Sequence, residues 1–265
     1  MDKKITIKDV AKQAGVSIAT VSYVVNNRTD QRISDETRKK VLQIVNLLDY
    51  KPNSLAKSLS TSKTYNIALY MMPETSLLKR SEQLLLIEVL SEVSSHYEYH
   101  LIIQDNKKFS QLNNVDAILC FDGTFDFFSH ISDKNFVPVI AIDCLVNIPW
   151  FFQVCTDYTN LKKTADKHFG VNQYTYLCLT PNNERLKSMI CQTFQNVKFV
   201  GDFHEVLENS NQKYIYNQIS LKPLLEGKEN TYYIPCNLHS KMDRVYHCID
   251  LAIKRTPDME HLHFV

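Results

Sequence analysis

Glycine is scarce in this sequence, with five residues among 265. So few glycines leave little material for a loop that cradles a phosphate, and neither a nucleophile elbow nor a histidine–carboxylate constellation is present. An enzymatic function is therefore not expected. Long hydrophobic runs are also lacking, since no stretch approaches the roughly 18 apolar residues of a membrane span. Because the polar start, Met1 to Lys4, lacks the apolar part of a signal segment, we expect a cytoplasmic protein that does not bind membrane.

Paired cysteines are absent as well. The seven cysteines form no C-x-x-C motif, and most lie in apolar stretches, including Cys178 and Cys236 in predicted strands. This pattern predicts reduced thiols in the core. Nine histidines are scattered, and His261 and His263 would share one face of a strand. No third ligand lies near them in sequence, so we assign no metal and no other cofactor.

Residues 6–26 contain the clearest local pattern, two short capped helices around a glycine turn. Thr6 and Asp9 form a capping pair at the first helix, and Gly15 can adopt the left-handed conformation that ends it. Ser17 caps the second helix. Inward positions of that helix are Val21, Val24 and Val25, whereas Ile18, Ala19, Ser22, Tyr23 and Asn26 face outward. This uncharged, compact face suits a DNA groove, and an ordinary helical hairpin is the alternative.

A third helix is predicted to begin after Ser34, because two acids follow in its first turn and apolar residues recur on one face. Those apolar residues are Val41, Ile44, Val45 and Leu48. Three helices close a small core. Beyond Tyr50 and Pro52, residues 51–63 offer barely two helical turns, too few to be stable alone.

Charge divides the chain at the same place. Residues 1–63 hold 12 Lys or Arg and six Asp or Glu, whereas the remainder holds 18 and 23. The net charge of +1 thus conceals a basic segment and a mildly acidic one. Because the basic excess coincides with the helix-turn-helix, we expect DNA binding that weakens steeply as salt rises.

Several motifs within residues 5–64 follow the order and spacing typical of one family. They are T-I-K-D-V-A, A-G-V-S, T-V-S, V-V-N, T-R, Y-K-P-N and A-K-S-L. The chain resembles the lactose-repressor (LacI/GalR) family of transcription regulators. This resemblance implies a DNA-binding headpiece over residues 1–50, a hinge helix over 51–63 that folds on operator DNA, and a dimerisation and effector-binding core over 64–265.

The resemblance also implies residue roles in the headpiece and hinge. Base-reading positions are Ile18, Ala19, Tyr23 and Leu59, the last matching a leucine wedged into the minor groove, where such wedges kink DNA. Positions that resemble the family's DNA-backbone contacts are Thr6, Ser17, Thr20, Ser22, Asn26, Ser34, Thr37, Tyr50, Asn53 and Lys57. Many family members carry arginine where this chain has Tyr23, and arginine is the usual reader of guanine. The operator is therefore expected to differ from those read by polar recognition helices.

Beyond the hinge, apolar runs alternate with amphipathic segments, which predicts an α/β fold with parallel sheets and right-handed crossovers. In the resembled family this alternation forms two lobes like those of periplasmic sugar-binding proteins, with an effector in the cleft between them. The second lobe is expected to begin near residue 152.

The family's effector-site landmarks are present only in part. Asp122 and Asp143 are retained, and the resemblance assigns effector contacts to Asp157, Arg185 and Asn237. A surface ion pair is the alternative for Arg185, and a helix cap is the alternative for Asp157. Leu238 stands where the family carries an aspartate, which removes a strong acceptor for sugar hydroxyls. Aromatic residues such as Trp150 would stack on a sugar ring or belong to the core.

Two further departures concern the core's architecture. The segment N-K-K-F-S-Q-L-N-N between the second and third strands is too short for the family's crossover helix. The sequence also stops where family chains usually continue for some tens of residues, which predicts a first lobe that is incomplete or rearranged.

The sequence as a whole predicts a sequence-specific transcription regulator, more often a repressor in this family. It is expected to bind a near-palindromic operator as a homodimer, under control of a sugar or related small-molecule effector. The alternative is a DNA-binding regulator whose degenerate core is controlled by a protein partner or by abundance.

Overall fold

The computed structural model describes residues 5–26, 28, 31–51, 63–206, 212–256 and 260–265. The chain divides into two compact units, Met1–Lys63 and Thr64–Val265. The division falls where the basic segment gives way to the acidic one. Among the described residues, no helix is both long and apolar enough to cross a membrane.

The first unit contains three helices: α1 (Ile7–Ala14), α2 (Ile18–Val25) and α3 (Asp35–Leu47). Gly15 ends α1 with a φ of 66°, the left-handed conformation predicted for the turn. Ser17 and Ser34 begin α2 and α3 as N-caps, also as predicted. The buried core comprises Val10, Ala11, Ala14, Val21, Val24 and Val41. The third helix directs its predicted face inward, because Ile44, Val45 and Leu48 pack against this core.

The second unit begins with a six-stranded parallel sheet in the order β10-β5-β4-β3-β1-β2. Its strands are β1 (Asn66–Met71), β2 (His100–Ile103), β3 (Ala117–Phe121), β4 (Val139–Ile142), β5 (Gln153–Cys155) and β10 (Leu262–Phe264). Helices α4 (Leu77–His96) and α10 (Leu238–Lys254) cover one face, where Leu69, Leu119 and Ile140 are buried. Helix α5 (Phe125–Ser132) packs on the other face, beside Tyr70, Ile118 and Cys120.

A second parallel sheet, in the order β7-β6-β8-β9, forms the other lobe. Its strands are β6 (Thr175–Leu179), β7 (Val197–Val200), β8 (Tyr214–Tyr216) and β9 (Thr231–Tyr233). Helices α6 (Tyr158–Phe169) and α7 (Glu184–Thr193) pack on the face that contains Tyr176 and Cys178. The short helices α8 (Phe203–Val206) and α9 (Lys222–Leu225), with a 3₁₀ turn at Ile219–Leu221, lie on the face that contains Leu177 and Leu179.

The lobe boundary differs from the prediction. Strand β5 pairs with β4 and β10 in the first sheet, so the chain enters the second lobe after Asp157 rather than near residue 152. The apolar run at Phe152 resembles the opening strand of a new lobe, but its residues fill the first core, where Phe152 and Val154 are buried.

The prediction that the first lobe is incomplete is wrong for the described residues. The first sheet is continuous, and Val265 donates its amide proton to the Cys155 carbonyl at 2.9 Å beside β10. Residues 262–264 thus supply the outer strand. By contrast, the abbreviated connection after β2 is confirmed, because residues 104–116 contain no helix. Phe109 in this connection packs on Tyr70 and Phe127, with ring centroids 5.9 and 5.3 Å apart.

Five of the seven cysteines are buried and none forms a disulfide, as predicted for core thiols. Cys191 is exposed and Cys236 is half-buried. Burial raises the pKa of the Cys248 thiol to about 12, which keeps it protonated at neutral pH. His261 and His263 both lie beside the Phe152 ring, at centroid distances of 4.4 and 6.1 Å, so they share one face as expected.

Candidate nucleic-acid interface and inter-lobe cavity

The exposed surface of α2 carries the three helical residues predicted to read bases. Ile18 is 45% exposed and Ala19 is exposed, whereas Tyr23 is half-buried. The Arg28 guanidinium carbon lies 5.9 Å from the centre of the Tyr23 ring. The hydrophobic positions of α2 are turned inward, with Val21 and Val24 in the core. An apolar, uncharged surface is therefore presented at the start of this helix.

Several residues predicted to contact the DNA backbone also cap helices. The Ser17 hydroxyl oxygen accepts a hydrogen bond from the Thr20 amide at 3.0 Å, and the Ser34 hydroxyl oxygen accepts one from the Thr37 amide at 3.2 Å. The Thr6 amide and hydroxyl both donate to the Asp9 carboxylate, at 2.9 and 2.6 Å. Each hydroxyl thus has a structural role in the free headpiece, besides any contact with phosphate.

Three further predicted backbone contacts, Ser22, Asn26 and Tyr50, also lie in the described headpiece. The Asn26 side-chain amide donates to the Ser22 carbonyl at 2.8 Å, which fixes both residues at the end of α2. Burial raises the pKa of the half-buried Tyr50 hydroxyl, so it remains a hydrogen-bond donor at neutral pH. Asn53, Lys57 and Leu59, with the predicted hinge helix, lie outside the described residues.

A cavity of about 130 Å³ lies between the two lobes of the second unit. The first lobe contributes residues that follow its parallel strands, including Asp122 after β3, Asp143 after β4 and Thr156 after β5. The second lobe contributes Thr180 after β6 and Asn217 after β8. Ligands of open α/β sheets bind at this carboxyl edge of the strands. The cavity therefore occupies the position at which a small-molecule site is expected.

One charged cluster in the cavity wall joins the lobes. Lys79, in the first turn of α4, forms ion pairs with Glu74 at 2.7 Å and Asp122 at 3.2 Å. From the second lobe, the Asn182 side-chain nitrogen donates to Glu74 at 2.6 Å and to Asp122 at 3.0 Å, and the Asn182 amide donates to Asp122 at 2.9 Å. Burial raises the pKa of Asp122 to about 6, against the opposing effect of Lys79.

A second cluster lies deeper in the first lobe. Lys241, only 2% exposed in the first turn of α10, donates to the Asp143 carboxylate at 2.6 Å and to the Thr156 hydroxyl at 3.0 Å. Desolvation is the largest single influence and would lower the pKa of Lys241, but the Asp143 charge, the Cys236 charge and the hydrogen bond to Asp143 together raise the pKa. Lys241 and Asp143 therefore form a charged buried pair.

Further hydrogen bonds cross the cleft around these clusters. The Ser220 amide donates to Glu82 at 2.8 Å, the Asn183 side chain donates to the Gly123 carbonyl at 3.1 Å, and Ser76 donates to the Gly201 carbonyl at 2.5 Å. The two lobes are thus connected by polar contacts on several sides of the cavity.

The three residues assigned to effector contacts do not line this cavity. Asp157 caps α6 and accepts from the Asn160 amide at 2.9 Å, which is the alternative considered for it. Asn237 caps α10 and accepts from the Ser240 amide at 3.1 Å. Arg185 donates to the Val146 carbonyl and lies 4.4 Å from the centre of the Phe125 ring, so neither role considered for it is seen. Trp150 is 71% exposed and is also absent from the wall.

The cavity instead contains residues that sequence patterns did not select. Lys79 and Lys241 lie in the first turns of helices α4 and α10, where they pair with Asp122 and Asp143 at the sheet edge. Glu82 lies about one turn further along α4. Leu238, which replaces the expected aspartate, does line the cavity. The two strand-end aspartates were visible in the sequence, but the lysines that pair with them required the packing of α4 and α10.

Comparison with known proteins agrees with the headpiece architecture. Residues 6–53 match the family model described as bacterial regulatory proteins, lacI family. The catabolite control protein A of Staphylococcus xylosus is 34% identical over 175 residues, which are 62% of this chain and 51% of that protein. The catabolite control protein A of Streptococcus mutans is 33% identical over 138 residues, 50% of this chain and 39% of that protein. The chain thus spans about half the length of these relatives or less.

The fold of the whole chain is similar to that of solved regulators. A crystal structure of the Lac repressor dimer bound to operator and the anti-inducer ONPF superposes with a TM-score of 0.60 at 14% identity, over 99% of this chain and 96% of that one. A LacI family protein from Silicibacter pomeroyi superposes with a TM-score of 0.51 at 15% identity, over 98% of this chain and 96% of that one. The headpiece sequence thus matches the lacI family over residues 6–53, and the fold of the chain is similar to that of these solved regulators.

Proposed function

We propose that this protein is a sequence-specific transcription regulator that binds a near-palindromic operator as a homodimer and represses the genes beside it. The observation that carries the proposal is the outward face of α2, where Ile18, Ala19 and Tyr23 stand between capped helix ends. The matched lacI-family segment and the Lac repressor dimer bound to operator support this function. A cytoplasmic location follows, because the operator lies there.

In this proposal the headpiece supplies two kinds of DNA contact. Ile18 and Ala19 offer only apolar contacts, suited to thymine methyl groups, whereas Tyr23 adds a ring and a hydroxyl. Hydroxyl and amide side chains around them hold the phosphates and fix the register. Leu59 enters the minor groove at the centre of the operator. Two-fold symmetry of the dimer requires two half-sites.

The core is proposed to sense a small molecule bearing hydroxyl groups, a sugar or a related compound. Its support is the cavity at the carboxyl edges of both sheets, which polar and apolar residues of both lobes line. Binding there changes how the lobes close, and this shifts the population of molecules able to bind operator. Equal operator affinity with and without every ligand that binds the core would contradict this coupling.

A regulator without an effector is the second candidate, controlled by a protein partner or by its own abundance. Two observations favour it: Leu238 in the cavity wall, and a volume well below the roughly 300–1,000 Å³ of drug-sized pockets. A thermal-shift screen over sugars, amines and nucleosides separates the two candidates. An effector at a hundred times its dissociation constant stabilises the protein by about 2.7 kcal/mol, whereas the second candidate predicts no stabilising compound.

The DNA-binding function is tested by selecting sites from random DNA with the purified full chain. We expect the selected DNA sites to be near-palindromic. The logarithm of the binding constant should fall linearly with the logarithm of the salt concentration. Tyr23→Ala should relax the preference at the base pairs it contacts while leaving the salt slope unchanged. Recovery of no sequence preference with the unaltered chain would overturn the proposal.

A further inference from the structure

The inter-lobe cavity is surrounded by more acidic than basic side chains. Three acids, Glu82, Asp122 and Asp143, line it together with two lysines, Lys79 and Lys241. A fourth acid, Glu74, does not line the cavity but pairs with Lys79. Each lysine is already engaged, Lys241 with Asp143 and Lys79 with both Glu74 and Asp122. With all six groups ionised the cluster carries a charge of −2, and neither ammonium is available to an incoming anion.

Glu82 is the acid in this cluster whose charge is least balanced. Its carboxylate accepts a hydrogen bond from the Ser220 amide at 2.8 Å, and no ion pair joins it to a cation among the described residues. Burial is the main cause that raises the pKa of Glu82, and hydrogen bonding from Ser220 and, to a lesser extent, the Lys241 charge oppose it. A half-buried carboxylate of this kind is stabilised by a cation that enters the cavity beside it.

A second acceptor lies two residues from Ser220. The side-chain oxygen of Gln218, another residue of the cavity wall, is buried and has no hydrogen-bond partner among the described residues. Leaving a buried acceptor unpaired is costly, so this oxygen favours a ligand that brings a donor. An ammonium group has three donors and no acceptor, so its chemistry matches both acceptors, Gln218 and Glu82.

We propose that the cavity takes a small protonated amine bearing hydroxyl groups, an amino sugar or amino alcohol, and rejects phosphorylated and other anionic compounds. This inference rests on the proposed sensing function of the same cavity and specifies the class of its ligand. The amine lies against Glu82 and Gln218. The hydroxyl groups face the other polar side chains of the wall, such as Thr180 and Asn217.

The test compares three probes of similar size by titration calorimetry with the full chain at pH 7.5: glucosamine, glucose and glucose 6-phosphate. We expect glucosamine to bind about tenfold or more tightly than glucose, and glucose 6-phosphate to bind more weakly than glucose. Ethanolamine and galactosamine extend the amine set. Glucose 6-phosphate binding as tightly as the best amine, or no amine binding below about 10 mM, would overturn the proposal.

Two variants test whether the Glu82 side chain causes the preference for an amine. Glu82→Gln keeps an acceptor for the Ser220 amide, so the fold should persist, but the advantage of glucosamine over glucose should disappear. Glu88→Gln, an exposed position on the same helix, is the matched control and should leave the advantage intact. An undiminished advantage in Glu82→Gln would refute the role of Glu82. No DNA is present in these titrations, so their outcome is independent of whether the headpiece selects an operator.

Discussion

At the scale of single residues, this molecule repeatedly gives one side chain two tasks. Ser17 and Ser34 cap helices of the headpiece and are also proposed to face phosphate. Asp122 pairs with Lys79 inside the first lobe and accepts hydrogen bonds from Asn182 of the second. Mutating such a residue changes stability and function together. A useful variant therefore keeps one task and removes the other.

Ser17 allows this separation. Ser17→Asp retains an N-cap of similar quality, so the thermal stability of the headpiece should change by less than about 0.5 kcal/mol. The new carboxylate would repel a phosphate, so affinity should fall about equally for every DNA sequence. Thermal unfolding and binding to several operator variants measure the two effects. Ser17→Ala, as the comparison, should lose about 1 kcal/mol through the cap alone. Unchanged DNA affinity in Ser17→Asp would exclude Ser17 from the interface.

Asp122 makes stability depend on pH. Its pKa is raised to about 6 in the folded chain, above the ordinary value of 3.8, so the folded state binds the proton more readily than the unfolded state. The free energy of unfolding, compared with that of Asp122→Asn, should therefore increase as pH falls through 6 towards 4, by at most about 3 kcal/mol. Urea unfolding at several pH values measures this difference.

Asp166 provides the opposite control. Desolvation opposes the shift, but hydrogen bonds from Lys162, Tyr174 and Asn172 prevail and lower its pKa. Above about pH 4 the unaltered chain should therefore have a larger free energy of unfolding than Asp166→Asn, and this difference should shrink as pH falls further. The same dependence on pH for both variants would contradict the environments described for these carboxylates.

At the scale of elements, the connection after β2 is the clearest departure from a regular β-α-β unit. Residues 104–116 form no helix, yet the face of the sheet beneath them must still be covered. Phe109 provides much of that cover, because its ring packs on Tyr70, Phe127 and His130. One aromatic side chain here replaces part of the apolar surface that a crossover helix would supply.

Phe109→Ala should therefore destabilise the second unit by about 2 kcal/mol, the range for burying one large apolar side chain plus its aromatic contacts. Phe136→Ala is the matched control, since that ring is 90% exposed and its loss should change stability by less than about 0.5 kcal/mol. Chemical unfolding followed by circular dichroism measures both. Equal effects of the two substitutions would show that the connection contributes no packing.

Elements were predictable from sequence where their signals are local. The caps at Ser17 and Ser34 and the turn at Gly15 depend on a few adjacent residues, so the headpiece could be predicted almost helix by helix. Strand β8 gives no such local signal, because its three buried residues show no alternation of apolar and polar side chains. The lysines in the cavity wall could not be predicted, for another reason. Lys79 and Lys241 are 162 positions apart in sequence, and only the packing of α4 and α10 on one sheet brings them to the same edge.

At the scale of the whole second unit, the contacts across the cleft determine how freely the lobes separate. Asn182 is central among them, because it donates to Glu74 and twice to Asp122. Its removal leaves Lys79 still paired with both acids, so each lobe should remain folded. The effect of such a change is therefore confined to the connection between lobes.

Asn182→Ala should accelerate hydrogen exchange at the Ser220 amide, which bridges the lobes through Glu82, because the whole cleft opens more often. Amides within β3 and β6 should keep their protection. Asn160→Ala, on the exposed side of α6, serves as the control and should leave exchange at the cleft unchanged. Faster exchange throughout the strands would indicate global destabilisation instead of lobe opening, and no change would show that Asn182 does not hold the cleft.

The place of α10 and β10 in the first lobe has a consequence for how the protein is made. Both elements follow the entire second lobe in the chain, yet α10 covers Ile140 and Val154 of the first sheet, and β10 supplies its outer strand. A ribosome adding about 5–20 residues per second needs roughly 5–20 s to pass from β5 to the middle of α10. During that interval the nascent chain exposes the part of the apolar sheet face that α10 will cover. The described strands of the second sheet are therefore all synthesised before α10 and β10 reach the first sheet.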